Sequence, residues 1–242
     1  PPPAGLISDS FRASEAPPNS VPIRSDVFLA GRQFPVPALD FSGLISDLGR
    51  LKDLARTTDG LYLPASGAYG YNLILRADDK VEVRKVLSLV SPNFLCRLFS
   101  DQADDWGSWS IQQSASVATY DLPNNGIIFA EDNLWVEGEL STARLTIVAG
   151  RLPESSSNQA SITINKNISY AGYDGQESLG LIAQGQINVG LVSADNLHID
   201  GALVAKNGRV GRFHYGSFCS PYHQRQTINL FGMIASNQRY GF

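Results

Sequence analysis

Four carboxylates lie close together near the middle of the chain, at Glu131, Asp132, Glu137 and Glu139. Glycoside-cleaving enzymes use paired carboxylates, one as acid and the other as base or nucleophile, so this group indicates a polysaccharide-active enzyme. Glu137 and Glu139 occupy alternate positions of a predicted strand and therefore share one of its faces. Val136 and Leu140 occupy the opposite, apolar face, which favours a solvent-exposed position for the two glutamates. We predict that these carboxylates are solvated rather than catalytic.

Other catalytic signatures are missing from the sequence. The three histidines, His198, His214 and His223, do not form a pair at the spacing of metal ligands on one helix or strand. Neither a Gly-x-Ser-x-Gly nucleophile motif nor a glycine-rich phosphate loop occurs. We therefore predict no metal, no cofactor and no enzymatic activity, with a polysaccharide-active parallel β-helix enzyme as the alternative.

Charge is distributed unevenly along the chain. Asp200 is the last acidic residue, and the segment from Gly201 to Phe242 carries a charge of +5. Because the whole chain carries −4, the first 200 residues carry −9. A basic segment on an acidic body indicates contact with an anionic partner or self-association. The basic residues of this segment are Lys206, Arg209, Arg212, Arg225 and Arg239.

A stretch inside this basic segment interrupts the strand pattern and is therefore predicted to be a loop that carries function. Aromatic residues such as Phe213 and Phe218 lie between its basic ones, a composition typical of surfaces that bind nucleic acid strands. The acidic body argues against DNA, because it repels phosphate. The residues that we expect to bind a partner are Arg209, Arg212, Tyr222, His223 and Arg225.

The cysteines of the chain are Cys96 and Cys219. This number is too small for a metal site or a disulfide-rich scaffold. The two residues can form one bridge in an exported protein, or they can remain as buried thiols. Their separation along the sequence does not decide between these states.

The segments that must position these residues repeat one short phrase: an aliphatic residue, a spacer, glycine, a spacer and an aliphatic residue. Each copy alternates apolar and polar positions, which is the period of a strand. Glycine inside a strand marks a bend or a close backbone approach, as the corner of a coil requires. A chain that winds one strand unit repeatedly is a solenoid. The copies are Val136–Leu140, Ile199–Leu203 and Leu230–Ile234.

Short strands separated by turn-rich stretches continue this pattern from Gly126 to the end of the chain. We predict a mainly β fold in which residues 126–242 form a β-solenoid, a right-handed parallel β-helix, with a β-sandwich as the alternative. The residues that we expect to face inward are Val136, Leu140, Ile199, Leu203, Leu230 and Ile234.

The upstream half of the chain predicts different elements. Residues 1–38 are rich in proline and are predicted to be an extended linker. In residues 39–125, one amphipathic helix spans about 40–56 with Asp40 as its N-cap, followed by a small antiparallel or mixed β patch. Asp78 and Asp79 indicate the hairpin turn of that patch. We expect the helix or a terminus to cover one exposed end of the solenoid.

The phrase from Ile127 to Gly138, followed by Ala143–Ile147, resembles a family of β-solenoid surface proteins linked to bacterial type IV pilus assembly, described as PilX-like or non-major pilins. Ile199–Ala205 and Ile228–Gly232 match the family in the same order. The resemblance implies an exported protein, tethered to the membrane or incorporated in a pilus, without catalysis. Its partners would be pilus subunits or a cell-surface polymer.

The chain opens with Pro1 instead of methionine, which predicts a processed product. Any membrane contact is expected to come from a hydrophobic segment upstream of this chain. These observations together predict an extracellular or cell-surface component of bacteria, with a structural and adhesive role in type IV pili. The alternatives are the polysaccharide-active enzyme and a DNA-binding pilus component that uses the basic C-terminal segment.

Overall fold

The structure, a computed structural model, describes residues 44–100, 108–238 and 241. The predicted proline-rich segment 1–38, the predicted N-cap Asp40 and the basic residue Arg239 lie outside these residues. Residues from Phe41 to Phe242 belong to one compact unit.

Strands dominate this unit. Two α-helices, α1 (Leu44–Ala55) and α2 (Phe94–Leu98), and a short 3-10 helix at Ser217–Cys219 accompany them in the described residues. The strands are β1 (Leu61–Leu63), β2 (Gly70–Arg76), β3 (Lys80–Leu89), β4 (Ile111–Asp121), β5 (Ile127–Ala130), β6 (Leu134–Leu140), β7 (Arg144–Ala149), β8 (Ile162–Thr163), β9 (Ile168–Tyr170), β10 (Ser178–Ala183), β11 (Ile187–Val189), β12 (Asn196–Ala205), β13 (Val210–Arg212) and β14 (Thr227–Ser236).

The strands wind into a β-solenoid with three sheet faces. The first face stacks β1, β5, β7, β10 and the second halves of β12 and β14, all in parallel. The second face stacks the first parts of β2 and β6 with β8, β11 and β13. The third face stacks the end of β6, β9 and the first halves of β12 and β14. This parallel pairing confirms the predicted solenoid and shows that the β-sandwich alternative is wrong, since a sandwich is antiparallel.

The interior of the coil is a continuous aliphatic core. Val136, Leu140, Ile199 and Leu203 are each 1% exposed, as expected for inward-facing positions. Burying each such side chain contributes about 1.5–3 kcal/mol to folding. Leu230 and Ile234 of β14 pack against the same core but stay partly buried. The predicted inward set is therefore correct, and its last members lie where the core meets solvent.

The repeated glycines lie at corners of the coil. Gly201 and Gly232 pair with each other across β12 and β14 and have φ angles of 147° and 149°. A Cβ atom on Gly232 would lie 2.0 Å from the carbonyl oxygen of Gly201, so the corner requires glycine. Gly138 also has a positive φ, of 115°. Its neighbour in the next coil is Ile168, so Gly138 is not stacked in line with Gly201 and Gly232. The repeated phrase therefore predicts corners correctly, but Gly138 marks a different corner of the coil from Gly201 and Gly232.

Helix α1 covers the outside of the first face instead of an end of the solenoid. Leu48 and Ala55 pack against Phe129 and Val148, which alternate with the inward residues of β5 and β7. The prediction that this helix covers an exposed end is therefore wrong. The outward side chains of the first face are apolar, and the amphipathic helix is the element that buries them.

A hairpin closes the N-terminal end of the solenoid. Strand β3 pairs antiparallel with β2 and with β4, and the turn between β2 and β3 contains Asp79 with a φ of 54°. Val81 and Val83 of β3 are fully buried in the solenoid core. We call this hairpin the closed end. Because β1 and β2 pair in parallel with β5 and β6, the first coil begins at Leu61, upstream of residue 126 where the sequence placed it.

The helices of residues 44–100, 108–238 and 241 are all too short or too polar to cross a membrane.

Candidate functional site

Three arginines come together at the last coil, from both ends of one loop. Arg209 precedes β13 and Arg212 is its final residue, placed by parallel pairing of β13 with β11. Residues 213–226, which we call the contact loop, then lead to β14, and Arg225 lies at the end of that loop. We call Arg209, Arg212 and Arg225 the arginine cluster.

The guanidinium groups of the cluster bind backbone carbonyl oxygens, and Arg212 binds those of the contact loop. Arg212 donates hydrogen bonds to the carbonyl oxygens of Tyr222 at 2.6 Å and His223 at 3.1 Å. Arg209 donates to the carbonyl oxygen of Arg212, and Arg225 donates to that of Leu191 at 3.4 Å. The structure therefore brings all five predicted binding residues together, although Tyr222 and His223 contribute backbone carbonyls to this network.

Each arginine also lies over an aromatic ring. The guanidinium carbon of Arg209 is 4.6 Å from the ring centre of Phe213, and that of Arg212 is 4.5 Å from the ring centre of Tyr215. Arg225 lies 5.0 Å from the ring centre of Tyr222. Contacts of this kind attract the cation to the face of the ring and hold the side chain in one position. The charges are therefore presented in fixed places instead of on freely moving side chains.

The electrostatics of the cluster favour an anion. Burial lowers the pKa of Arg212, and the neighbouring Arg225 lowers it further; the group nevertheless keeps its charge at neutral pH, as guanidinium does in proteins. The carboxylate of Asp195 lies 3.5 Å from Arg225 and is half exposed. Within the described residues, Arg212 donates to carbonyl oxygens and forms no ion pair. Among the described residues, the one ion pair of Arg212 and Arg225 is therefore that of Arg225 with Asp195.

Two cavities flank the cluster. One, of about 580 Å³, is lined by all three arginines together with His214 and His223. The other, of about 460 Å³, has Arg212 and Arg225 on one side and aliphatic side chains of β14 on the other. Arg212 and Arg225 line both cavities, so an anionic group can reach them from either side.

A disulfide holds the contact loop in place. Cys96 of α2 is bonded to Cys219 of the 3-10 helix, with Cα atoms 4.7 Å apart and a separation of 123 positions along the chain. The Asn93 side chain caps α2 by accepting from the Cys96 amide at 2.8 Å, and its amide group donates to the carbonyl oxygen of Phe218. The bridge therefore ties the segment between β3 and β4 to the loop that carries the arginine cluster.

The carboxylates that could indicate an enzyme have separate partners. Glu131 accepts hydrogen bonds from Lys52 of α1 and from Tyr62. Burial raises the pKa of Glu131, but these two hydrogen bonds outweigh it, so the pKa is lowered overall. Asp132 is bound by Ser66 and Arg151, and Glu137 by Asn72 and Lys166, whereas Glu139 is exposed. Asp132 is buried and Glu131 and Glu137 are largely enclosed by their partners, so the prediction that these carboxylates are solvated is correct only for Glu139.

A buried acid that the sequence analysis did not place in a site lies on the third face. Asp200 is fully buried, accepts from the hydroxyl of Tyr173 at 2.9 Å and lies 2.7 Å from the Nε2 atom of His198. The sequence shows that His198 and Asp200 lie two positions apart and share one face of a strand. It does not show the contact with Tyr173, which comes from the neighbouring coil. Groups of three or more histidine, cysteine or acidic side chains suited to a metal ion are absent from the described residues.

No protein-family model, no curated protein and no solved structure matches this chain. The resemblance to type IV pilus-assembly proteins stays a prediction from the residues quoted above.

Proposed function

We propose that this protein is a non-catalytic structural and adhesion component of the bacterial cell surface, associated with type IV pili. It contacts an anionic partner through the arginine cluster. The observation that carries the proposal is the arrangement of Arg209, Arg212 and Arg225, each of which lies over an aromatic ring at the last coil. A solenoid also offers long sheet faces, which suit contact with other macromolecules better than enclosed chemistry.

The disulfide supports an exported location. Cytosolic thiols are kept reduced, whereas structural bridges form and persist in the periplasm and outside the cell. Cys96 and Cys219 are the cysteines of the chain, and both are used in the bridge. The resemblance to pilus-assembly proteins supports the same compartment.

The form of the cluster favours an anionic protein or surface polymer over DNA. Much of the hydrogen-bonding capacity of Arg212 is directed to loop carbonyls, which leaves few donors for phosphate oxygens. DNA binding rests on many phosphate contacts, each of which releases counterions. A rigid duplex cannot bend away from the first 200 residues, whose charge of −9 repels its phosphates, whereas a flexible polymer can.

Binding of dextran sulfate to the intact chain, measured by calorimetry over a range of salt concentrations, tests the proposal. The double substitution Arg209→Gln and Arg225→Gln should weaken binding about tenfold or more and lower the salt slope by about two, because two charges are lost. The matched control is Arg144→Gln, which removes an exposed arginine on the first face that donates to the Gly175 carbonyl. This control should bind as the unchanged chain does.

Three results would count against the proposal. Equal affinity of the double variant and the unchanged chain would show that the arginine cluster is not the contact. Shortening of the polymer during the measurement would support the polysaccharide-active enzyme. Tighter binding of a duplex DNA than of dextran sulfate at equal salt would support the DNA-binding alternative.

A further inference from the structure

The last described strand of the solenoid has one edge that no other described strand pairs with. In the part of the chain that the structure describes, β14 pairs along its whole length with β12 and with no other strand. Its ten residues include no charged side chain and no proline. Natural proteins usually protect such an edge with lysine, proline, a bulge or a very short strand, because an open edge recruits another strand.

Other edges of the same sheet carry such protection. Strand β1, at the end of the first face, has three residues. Strand β4, outside the closing hairpin, pairs with β3 through several register shifts and ends at Asp121, which is paired with Lys80. Since these edges are short, irregular or charged, the long uncharged edge of β14 is a specific feature and not a general property of this fold.

Among the described residues, Gly241 pairs with Gly211 of β13 on the second face, but no strand covers the core beyond β14. Ile228, Leu230 and Ile234 pack on the solenoid core but remain partly buried, and they line the cavity of about 460 Å³. On the other side of the same strand, Phe231 and Met233 are 56% and 51% exposed. One further strand with apolar residues at alternate positions would bury the first three side chains as the preceding coils do. We call this surface the open end.

The positive charge at the open end determines which kind of strand could bind to β14. Arg212 and Arg225 line the cavity of the open end beside the three aliphatic side chains. A strand with acidic residues would pair with them, whereas a basic strand would be repelled. A second copy joined through the same surface would bring its own arginine cluster against this one, and the edge of its first face offers only the three-residue β1. A partner protein with an acidic segment fits better than a second copy.

We propose that the open end binds an extended acidic segment of a partner protein, which adds a further coil by pairing with the edge of β14. This inference rests on the proposed function, because it names the kind of partner that the arginine cluster would hold. Main-chain hydrogen bonds along β14 would supply affinity, and the alternate apolar and acidic side chains of the segment would supply specificity.

The test uses synthetic peptides of about ten residues with valine at alternate positions and glutamate or serine between them. A matched peptide has lysine in place of glutamate, and a second has the same composition in scrambled order. Fluorescence anisotropy with the intact chain should show binding of the acidic peptide, and binding of the lysine and scrambled peptides at least about tenfold weaker. Equal binding of all three peptides would overturn the inference.

The substitution Ile234→Asn separates this inference from the proposed function. It removes an inward aliphatic side chain at the open end without changing the charge, so the acidic peptide should bind at least about tenfold more weakly while dextran sulfate still binds. If the peptide binds this variant as before, the inference fails and the proposed function stands. If the arginine substitutions leave the binding of dextran sulfate unchanged, the proposed function fails instead.

Hydrogen exchange of the unchanged chain gives a second readout that does not depend on how the variant folds. Amides of β14 that exchange quickly in the free chain should become protected by the acidic peptide and not by the lysine peptide. If these amides are already protected without peptide, the edge is occupied by another part of this chain, which would overturn the inference. Sedimentation as a dimer without peptide would show that a second copy occupies it.

Discussion

The first coil of the solenoid ends against a hairpin, whereas the last coil ends in a strand whose outer edge has no described partner. At the closed end, Val81 and Val83 of β3 are fully buried in the core. At the open end, Leu230 and Ile234 occupy the corresponding inward positions but are partly buried. The same repeating strand unit therefore yields a stable terminus or a binding surface, according to the element that follows it.

The sharpest way to test this comparison is to place one charge at each end. Val83→Lys puts an ammonium group in a fully enclosed position and should destabilise the protein by about 4 kcal/mol or more. Ile234→Lys places the same group where it can reach water and should cost only about 1–2 kcal/mol. Urea denaturation followed by circular dichroism measures both. Similar losses at the two ends would mean that the open end is covered.

The disulfide connects the two ends, and its removal should have the second-largest effect. It joins α2, between the strands β3 and β4 of the closed end, to the contact loop, across a sequence separation of 123. Reduction should lower the free energy of unfolding by about 3–4 kcal/mol, because the unfolded chain gains freedom. It should also weaken dextran sulfate binding, since the contact loop loses its anchor.

The paired substitution Cys96→Ser and Cys219→Ser is the control for this prediction, because its stability should no longer respond to reductant. A non-reduced peptide map of the unchanged protein should join the fragments that contain the two cysteines. Reaction of both thiols with maleimide in the folded, unreduced protein would contradict the bridge.

The sequence predicted the strands of the solenoid well because each strand must bury one face, which enforces a period of two. It missed β13, since Val210–Arg212 is too short for a period to be visible. It also missed the first coil, because β3, α2 and β4 intervene between β2 and β5 and hide the repeat. The position of α1 was wrong because amphipathicity shows that a helix packs, but not on which surface.

The arginines of the candidate site were predicted from a change in charge along the chain, but their contacts were not. Arg212 binds carbonyl oxygens of residues in the contact loop, and a loop conformation leaves no periodic signal in the sequence. Lys206 was counted among the basic residues of the segment, yet it is buried at 2% exposure and is bonded to Glu154. Net charge therefore located the region but overestimated the charge available for binding.

The ion pair of Lys206 and Glu154 should have a smaller, but measurable, effect on stability. The Lys206 ammonium group lies 2.6 Å from the Oε2 atom of Glu154, next to the last coil. Glu154→Gln leaves a buried ammonium group without its carboxylate and should cost about 2–3 kcal/mol, since Glu154 is itself partly exposed. The control is Asp78→Asn at the closed end, where the pair with Arg76 is exposed.

Thermal unfolding at neutral pH should separate the two substitutions. Asp78→Asn should leave the unfolding temperature unchanged, because exposed ion pairs are screened by solvent. A loss for Glu154→Gln no larger than that for Asp78→Asn would show that Lys206 is not held as the structure places it.

The same ion pair should also make the stability of the protein depend on pH, and this is the smallest effect that we predict. Burial raises the pKa of Glu154, but the hydrogen bonds from Lys206 and Asn207 outweigh it, so the pKa lies below its ordinary value of 4.5. A carboxyl whose pKa is lowered in the folded state stabilises the protein above its unfolded pKa. That contribution is lost as the pH falls through the folded value. The unfolding free energy should therefore decrease below about pH 4.5.

Urea denaturation at pH values between about 3 and 7 measures this slope, and Glu154→Gln should flatten it, because the titrating group is removed. Glu131 contributes to the same slope, since its pKa is also lowered by Lys52 and Tyr62 despite burial. It lies beside α1 on the first face, away from the arginine cluster, so Glu131→Gln should flatten the slope without changing dextran sulfate binding. If Glu131→Gln weakens that binding, the contact extends to the first face, and the arginine cluster is only part of the surface that binds the partner.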